Sequence, residues 1–331
     1  MIRLWFNHWF STAYNIINMI RSDNDVYVIC TNKNERSVVG AACDEVYPEP
    51  DLSGDEYAEF CISFCKEHSI DVFIPRREIS AVSRHLSAFD SIGVKVMTES
   101  YDIIHMLSHK DTAYSTLKEK GFPYVPEYLI VNDVHGFEEA YRTIASSYEQ
   151  VCFKFVNDEG GKSYRLIDDK CKGFSSLYKK QTTRITYADA VAALSEKETF
   201  SSLMVMPCLS GDEISADCLS TSSGIIMLPR IKSASKIERM CFDEEILSLI
   251  RQVYDLIPLE QPCNIQFKYL HDEPYFLEVN TRMSGGVQMA CAAAGVNIPS
   301  IALNKLLGKD IPWSIDREPH MITHADVPIV L

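Results

Sequence analysis

Asn264-Ile265-Gln266-Phe267-Lys268-Tyr269-Leu270 is followed by His271-Asp272-Glu273, and then by Pro274-Tyr275-Phe276-Leu277-Glu278-Val279-Asn280-Thr281-Arg282-Met283-Ser284-Gly285-Gly286. This reads as two strands joined by a short turn. Strand residues two apart share a face, so Glu278 and Asn280 point one way while Leu277 and Val279 point the other. A hairpin centred on Asp272 sets Gln266 opposite Glu278. One face then offers a carboxylate and two amide oxygens. These are oxygen donors only, the set that a hard cation such as Mg²⁺ prefers, its shell completed by substrate phosphates and water. Arg282 follows as a planar clamp for phosphate or carboxylate. The alternative is a hairpin with one solvated polar face. That predicts a mixture of Lys, Thr and Ser, and it does not account for Met283-Ser284-Gly285-Gly286 or for the small-residue helix predicted over 287–294. Gly285 and Gly286 let backbone approach a ligand closely and open a helix N-terminus, which favours anions.

The rest of the chain is ordinary globular sequence. Its 331 residues suit two or three compact lobes. Hydrophobic residues make up 46% and charged residues 24%, which excludes a disordered, collagen-like or coiled-coil chain. Lys plus Arg is 32 and Asp plus Glu is 46, a net charge of −14. Such a surface repels nucleic acid and anionic lipid, so neither is an expected partner. The 11 cysteines show no repeated CxxC spacing, and Cys61 and Cys65 are spaced as a helix face. An odd cysteine count, with no signal peptide in the opening Met1-Ile2-Arg3-Leu4-Trp5-Phe6-Asn7-His8, points to reduced thiols and a cytoplasmic location. No stretch approaches the roughly 20 apolar residues of a membrane span.

The first hundred residues alternate strands and helices. Strands are predicted over 2–6, 26–30, 71–75 and 94–97, and helices over 12–21, capped by Ser11, and 56–67. Alternation of this kind predicts a parallel sheet with its ligand crevice beyond the C-terminal strand ends, near Asn7-His8 and Arg76-Arg77-Glu78. Residues 99–111 read as a connection and 111–120 as a helix stopped by Gly121. Beyond them the strands come in pairs, 151–156 with 164–167 and 263–270 with 274–280, which predicts an α+β part with antiparallel sheets. The tail from Asp310 reads as an edge strand or a dimer contact.

Several residues suggest phosphate. Lys154 stands inside the apolar strand Cys152-Phe153-Lys154-Phe155-Val156, where a charge needs water or an anion. Gly160-Gly161-Lys162-Ser163 forms a glycine hairpin loop whose amides suit phosphate, although neither Walker A nor GxGxxG spacing is present. Tight turns use such residues as well. Lys110 begins a predicted helix. Glu213 starts a strand after Gly211-Asp212, where a carboxylate suits ribose hydroxyls or merely a solvated turn. Arg230 and Lys232 share a face and suit a γ-phosphate or a substrate carboxylate, or an edge strand. Among the nine histidines, His105 with His109 and His320 with His324 have HxxxH spacing, but neither pair carries the Glu of an HExxH zinc motif.

In this order the parts resemble an ATP-grasp enzyme over essentially the whole chain, of the carbamoyl-phosphate-synthetase and biotin-carboxylase-like branch. The run from Glu278 to Gly286 is the most specific match. The N-terminal pattern also loosely resembles ATP-grasp proteins encoded with bacterial tellurite-resistance clusters. The resemblance implies a pre-ATP-grasp α/β domain at 1–108 with a parallel sheet. An ATP-grasp domain at 109–331 then follows, with a small mobile lid lobe at about 126–205 and a metal-binding core lobe at 206–331. It implies ATP and Mg²⁺, with Mn²⁺ as a substitute. Gln266, Glu278 and Asn280 match the metal ligands. Lys110, Lys154 and Gly160-Gly161-Lys162-Ser163 match the phosphate contacts. Met206-Pro207-Cys208 matches the hinge that flanks adenine through backbone groups, and Glu213 matches the ribose ligand. Lys232 is placed with the nucleotide contacts, and Arg282 with Arg230 at the transferring phosphoryl group. Met206-Pro207 departs from the acidic or amide pair of many relatives. Asn7-His8-Trp9 stands where a dinucleotide site has a glycine-rich turn.

The implied reaction is ligation. A small-molecule carboxylate is activated as an acyl phosphate, and an amine or another nucleophile displaces the phosphate. Arg76, Arg77 and Ser284-Gly285-Gly286 are the expected substrate contacts, and a homodimer is a family-level expectation. The alternatives are a small-molecule kinase of the same fold and a nucleotide-binding module without turnover.

Overall fold

The structure is a computed structural model that describes residues 1–157, 161–172, 183–232, 237–325 and 327–330. Its strands form three sheets. The first contains β1 (Ile2–Asn7), β2 (Val26–Asn32), β3 (Glu45–Pro48), β4 (Val72–Ile74) and β5 (Lys95–Val96), in the order β3-β2-β1-β4-β5 with every pair parallel. The second contains β6 (Leu129–Val131), β7 (Val151–Phe155), β8 (Arg165–Ile167), β9 (Arg184–Ile185) and β10 (Leu203–Pro207), in the order β6-β10-β7-β8-β9. Its pairs are antiparallel except β8 with β9. The third contains β11 (Glu213–Thr221), β12 (Gly224–Lys232), β13 (Glu238–Met240), β14 (Cys263–Leu270), β15 (Glu273–Asn280) and β16 (Met321–Ile322), in the order β15-β14-β11-β12-β13-β16.

The chain divides into two compact units. One holds residues 1–107, 212–266 and 278–331; the other holds 108–211 and 267–277. In the first unit β1 is buried on both faces, as an interior parallel strand must be. Leu4 and Phe6 face Ala13, Ile16, Ile17 and Ile20 of the helix Ala13–Asp23. Trp5 faces the other way, among Tyr57, Cys61 and Phe64 of the helix Gly54–Glu67, and stacks on Phe73 with ring centroids 4.1 Å apart. The strand order reverses beside β1, so the C-terminal ends of β1 and β4 open onto a crevice. The second unit has its own core, in which Phe137, Ala140 and Ile144 of the helix Val134–Ala145 pack against Val151, Phe153, Leu203 and Val205.

Two local expectations change, and the edge strand expected of the tail is present. Ser11 does not cap the first helix. Thr12 holds the cap position without a side-chain bond, and the opening turn is closed by backbone bonds such as Ala13 N–H to Phe10 O at 2.9 Å. Residues 99–111 are not a plain connection, because Tyr101–Ser108 is a helix that buries Ile104 and Leu107 one turn apart. The tail supplies β16, which pairs antiparallel with β13 at the edge of the third sheet.

Candidate functional site

The β14–β15 hairpin turns on two residues, His271 and Asp272, with His271 at φ 55°. The turn is therefore centred between them rather than on Asp272. The buried residues of β15 are Pro274, Phe276 and Val279. Hydrogen bonds mark two same-face pairs. Gln266 Nε2 donates to Asn264 Oδ1 at 2.8 Å, and Asn280 Nδ2 donates to Glu278 Oε1 at 3.0 Å. Each amide thus uses a nitrogen on its neighbour, and its oxygen stays an acceptor. Both pairs offer oxygen donors, with one carboxylate between them, the chemistry that suits Mg²⁺. Among the described residues no group of three or more His, Cys, Asp or Glu that could hold a metal ion occurs. A cation here depends on the two amides.

Gln266 is held by a buried chain of polar groups. Asn264 Nδ2 donates to Ser215 Oγ and to Asp217 Oδ1, both at 3.1 Å. Arg230 Nη2 donates to Asp217 Oδ2 at 2.8 Å, and Arg230 Nη1 pairs with Glu238. Arg230 and Asp217 are each 1% exposed. The expected role of Arg230 as a clamp on the transferring phosphoryl group is therefore corrected: its guanidinium is enclosed and engaged by two carboxylates. Gly286 is explained by the same group. A Cβ there would lie 2.5 Å from Arg230 Nη1, while the Gly286 N–H donates to Ser284 Oγ at 3.1 Å. This glycine makes room for a guanidinium rather than for a ligand, and its amide is already used. Gly286→Ala should destabilise the fold by about 1–3 kcal/mol through overpacking, measurable as a lower midpoint in urea. Gly285→Ala, whose Cβ would meet only Thr12 Cγ2 at 3.6 Å, should be nearly silent in the same titration.

Glu213 and Lys232 stand opposite one another on β11 and β12, with Lys232 Nζ 3.0 Å from Glu213 Oε1. Arg282 Nη1 donates to Met283 O at 3.3 Å, and its Cζ lies 5.5 Å from the centroid of the Phe10 ring. Arg76 lies over the same ring, with Cζ 3.4 Å from the centroid. Arg77 turns the other way. It donates to Glu49 Oε1 at 2.9 Å and Pro50 O at 2.6 Å, and it also bonds Leu52 O. Tyr57 donates to the same Glu49 oxygen at 2.6 Å, and Asn7 Nδ2 donates to Tyr57 Oη at 2.9 Å. Arg77 thus neutralises a buried carboxylate, and the expectation that it contacts substrate is corrected.

In the second unit Lys154 is 7% exposed, and its Nζ lies 5.8 Å from the ring of Tyr114. Tyr114 belongs to the helix Lys110–Glu119, which Lys110 opens. Gly161 takes φ 66°, Lys162 is exposed, and Ser163 Oγ accepts from Phe155 N at 2.9 Å. Gly160 lies outside the described residues. On β10, Met206 pairs with Cys152 of β7. The Cys208 N–H donates to Gln150 O at 2.8 Å, so a base held through hinge backbone has to use other groups. Gly211 is needed for close approach, since a Cβ there would lie 2.7 Å from that of Tyr269. Cys208 Sγ lies 3.4 Å from Tyr164 Oη. The hydrogen bond from Cys152 is the largest influence and lowers Cys208 to about 6 against desolvation, with Tyr164 and Lys268 helping. The same shared bond and burial push Cys152 up.

A family model described as ATP-grasp in the biosynthetic pathway with Ter operon matches residues 199–327, which hold the hairpin, Arg282 and the Arg230 network. Residues 199–327 thus resemble an ATP-grasp family. The chain is 21% identical over 324 residues to the arginine-specific large chain of carbamoyl phosphate synthase from Geobacillus stearothermophilus, covering 93% of this chain and 29% of that one. It spans less than a third of the length of the curated relatives it matches. The ADP complex of N5-carboxyaminoimidazole synthetase from Staphylococcus aureus superposes with a TM-score of 0.71 at 12% identity, covering 97% of this chain and 81% of that one. The biotin carboxylase domain of 2-oxoglutarate carboxylase from Hydrogenobacter thermophilus, in complex with MgADP, ADP and bicarbonate, gives 0.67 at 17% identity, covering 94% and 71%. These two share the fold. No helix among the described residues is long and apolar enough to cross a membrane.

Sequence reading missed the network of Asp217, Asn264 and Glu238. The available signal was the polar residue at every second position of two strands, Ser215 with Asp217 and Asn264 with Gln266, inside otherwise apolar runs.

Proposed function

We propose that the chain uses ATP and Mg²⁺ to activate a small-molecule carboxylate for attack by an amine or another nucleophile. A carboxylate oxygen attacks the γ-phosphorus and ADP leaves, giving an acyl phosphate. The nucleophile then adds to the acyl carbon, phosphate leaves, and the amine's proton passes to solvent. The observation that carries this reading is the Gln266, Glu278 and Asn280 oxygen set followed by Arg282, within the segment matched by the family model. Bound there, Mg²⁺ supplies positive charge against the nucleotide phosphates. Gln266, Glu278 and Asn280 hold it, with Asn264 fixing the amide of Gln266. Arg282 orients the transferring phosphoryl group by planar, charge-assisted bonds. Glu213 and Lys232 are assigned to the nucleotide. In the second unit the same assignment goes to Lys110, Lys154, Gly161, Lys162, Ser163 and the hinge at Met206 and Cys208. Little covalent chemistry is asked of the protein, since positioning and charge carry such transfers.

Product analysis with labelled ATP tests the reading. Free phosphate together with a new amide supports ligation. A stable phosphorylated product would replace it with a kinase. ATP binding without turnover, in any mixture of acids and amines, would replace it with a binding module. Cys208 gives an independent check on the hinge assignment. Cys208 is 6% exposed, so its alkylation by iodoacetamide should be slow, and it should rise with pH because the thiolate is the reactive form. Saturating ATP should slow that alkylation several-fold by peptide mass spectrometry. An unchanged rate removes Cys208 from the nucleotide site.

A further inference from the structure

We infer that the acid activated here carries a second anionic group, and that Arg76 in the first unit receives it. This rests on the ligase reading above and names its substrate class. Arg76 follows β4 in the loop Pro75-Arg76-Arg77-Glu78, at the crevice end of the parallel sheet. Asn7, the last residue of β1 and fully buried, holds that loop. Its Oδ1 accepts from Arg76 N at 2.6 Å and from Arg77 N at 3.3 Å, and its Nδ2 donates to Arg77 O at 3.0 Å. Arg77 is tied back to Glu49 Oε1 at 2.9 Å. With the loop clamped and Arg77 turned inward, Arg76 is carried over the ring of Phe10. Strained backbone lies at both strand ends beside it. His8, directly after β1, takes φ 28°, and Glu78, at the end of the loop, takes φ 53°. Such angles cost a non-glycine residue energy and gather at functional sites.

The clamp places one cation beside another. The Cζ of Arg76 lies 3.4 Å from the centre of the Phe10 ring, and that of Arg282 lies 5.5 Å from the same point. The two Cζ atoms are therefore at most 8.9 Å apart, the sum of those distances. Like charges this close repel, and an anion beside them relieves the repulsion. The pair runs against the sign of the whole chain, whose net charge is −14. Stacking occupies the face of the Arg76 guanidinium and directs its N–H groups outward in their plane, the geometry that takes a carboxylate or phosphate by parallel bonds. In the ligase reading the reacting carboxylate lies beside Arg282, where the phosphoryl group is transferred. Arg76 is then in reach of a second anion on the same small molecule. Phe10, 46% exposed, gives the carbons between the two groups an apolar surface.

The test is calorimetric titration of the full chain with glutarate, with its neutral-ended isostere glutaramate and with 4-phosphonobutanoate, in the presence of Mg²⁺ and a non-hydrolysable ATP analogue. The two doubly anionic acids differ only in the second group, carboxylate or phosphonate. At least one of them should bind tighter than glutaramate by at least about 10-fold, the lower end of what a charge-assisted hydrogen bond contributes. Arg76→Gln should remove that advantage, and the Mg²⁺-ATP melting shift of the variant reports that its nucleotide site is folded. Arg76→Lys, which keeps the charge without the planar fork, should retain part of the advantage. Equal binding of all three acids, an advantage that survives Arg76→Gln, or no binding of any acid overturns the inference. The ligase reading is judged separately with hydroxylamine as nucleophile, which converts an acyl phosphate to a hydroxamate and free phosphate. Hydroxamate formed equally well from glutaramate and from the doubly anionic acids would leave ligation standing and remove Arg76 from substrate choice. An Arg76-dependent preference without hydroxamate from any acid would keep the anion site and remove ligation.

Discussion

Mg²⁺-ATP at about 100 times its dissociation constant is expected to stabilise the wild-type chain by about 2.7 kcal/mol, and Glu278→Ala to lose that response. Glu278 is the single carboxylate of the oxygen set, and its Oε1 accepts the Asn280 amide. Removing it takes away both the negative charge that attracts the cation and the acceptor that orients Asn280. Glu278→Gln separates the two effects, since it retains an oxygen but not the charge. A melting shift that needs both Mg²⁺ and nucleotide, and is absent in both variants, is the predicted result. Turnover should fall by at least about 100-fold, in the range of other preorganised charge-stabilising groups. A full shift in Glu278→Ala would displace the cation from this hairpin. No shift in the wild type would leave the binding reading without support.

Arg230→Leu is expected to produce the largest loss of stability, about 3–5 kcal/mol. Breaking a buried ion pair from one side leaves the other charge uncompensated. Asp217 would be that charge. It is nearly fully buried, and its other oxygen is already used by Asn264. The double variant Arg230→Leu/Asp217→Leu should recover part of the loss, because no buried charge is stranded. Denaturant titration of the wild type, both single variants and the double variant measures the coupling. Loss of folding stability in Arg230→Leu separates this role from a phosphate clamp, whose removal would lower turnover and leave the midpoint unchanged. If the single variants simply add, the ion network does not carry the stability assigned to it.

The sequence by itself determined what repeats locally. Period-two alternation placed Glu278 and Asn280 on one face of a strand, and their 3.0 Å hydrogen bond shows it. The apolar run of β1, and the i, i+3, i+4 spacing in the helices that cover it, needed only the geometry of strand and helix. The resemblance of the run from Glu278 to Gly286 to an ATP-grasp pattern was legible because metal and phosphate chemistry restrict residue type at fixed spacing. Tertiary structure alone decided what each polar side chain meets. Arg76 and Arg77 are adjacent in sequence, yet one lies over Phe10 and the other neutralises Glu49, 28 residues away. Arg230 looked like a ligand for phosphate until Asp217 and Glu238 were found against it. Gly286 looked like a phosphate glycine until the same guanidinium was found where its Cβ would stand. A guanidinium binds a buried carboxylate and a ligand's phosphate by the same planar bonds. Residue type therefore named the chemistry, and only the packing of distant strands fixed its partner.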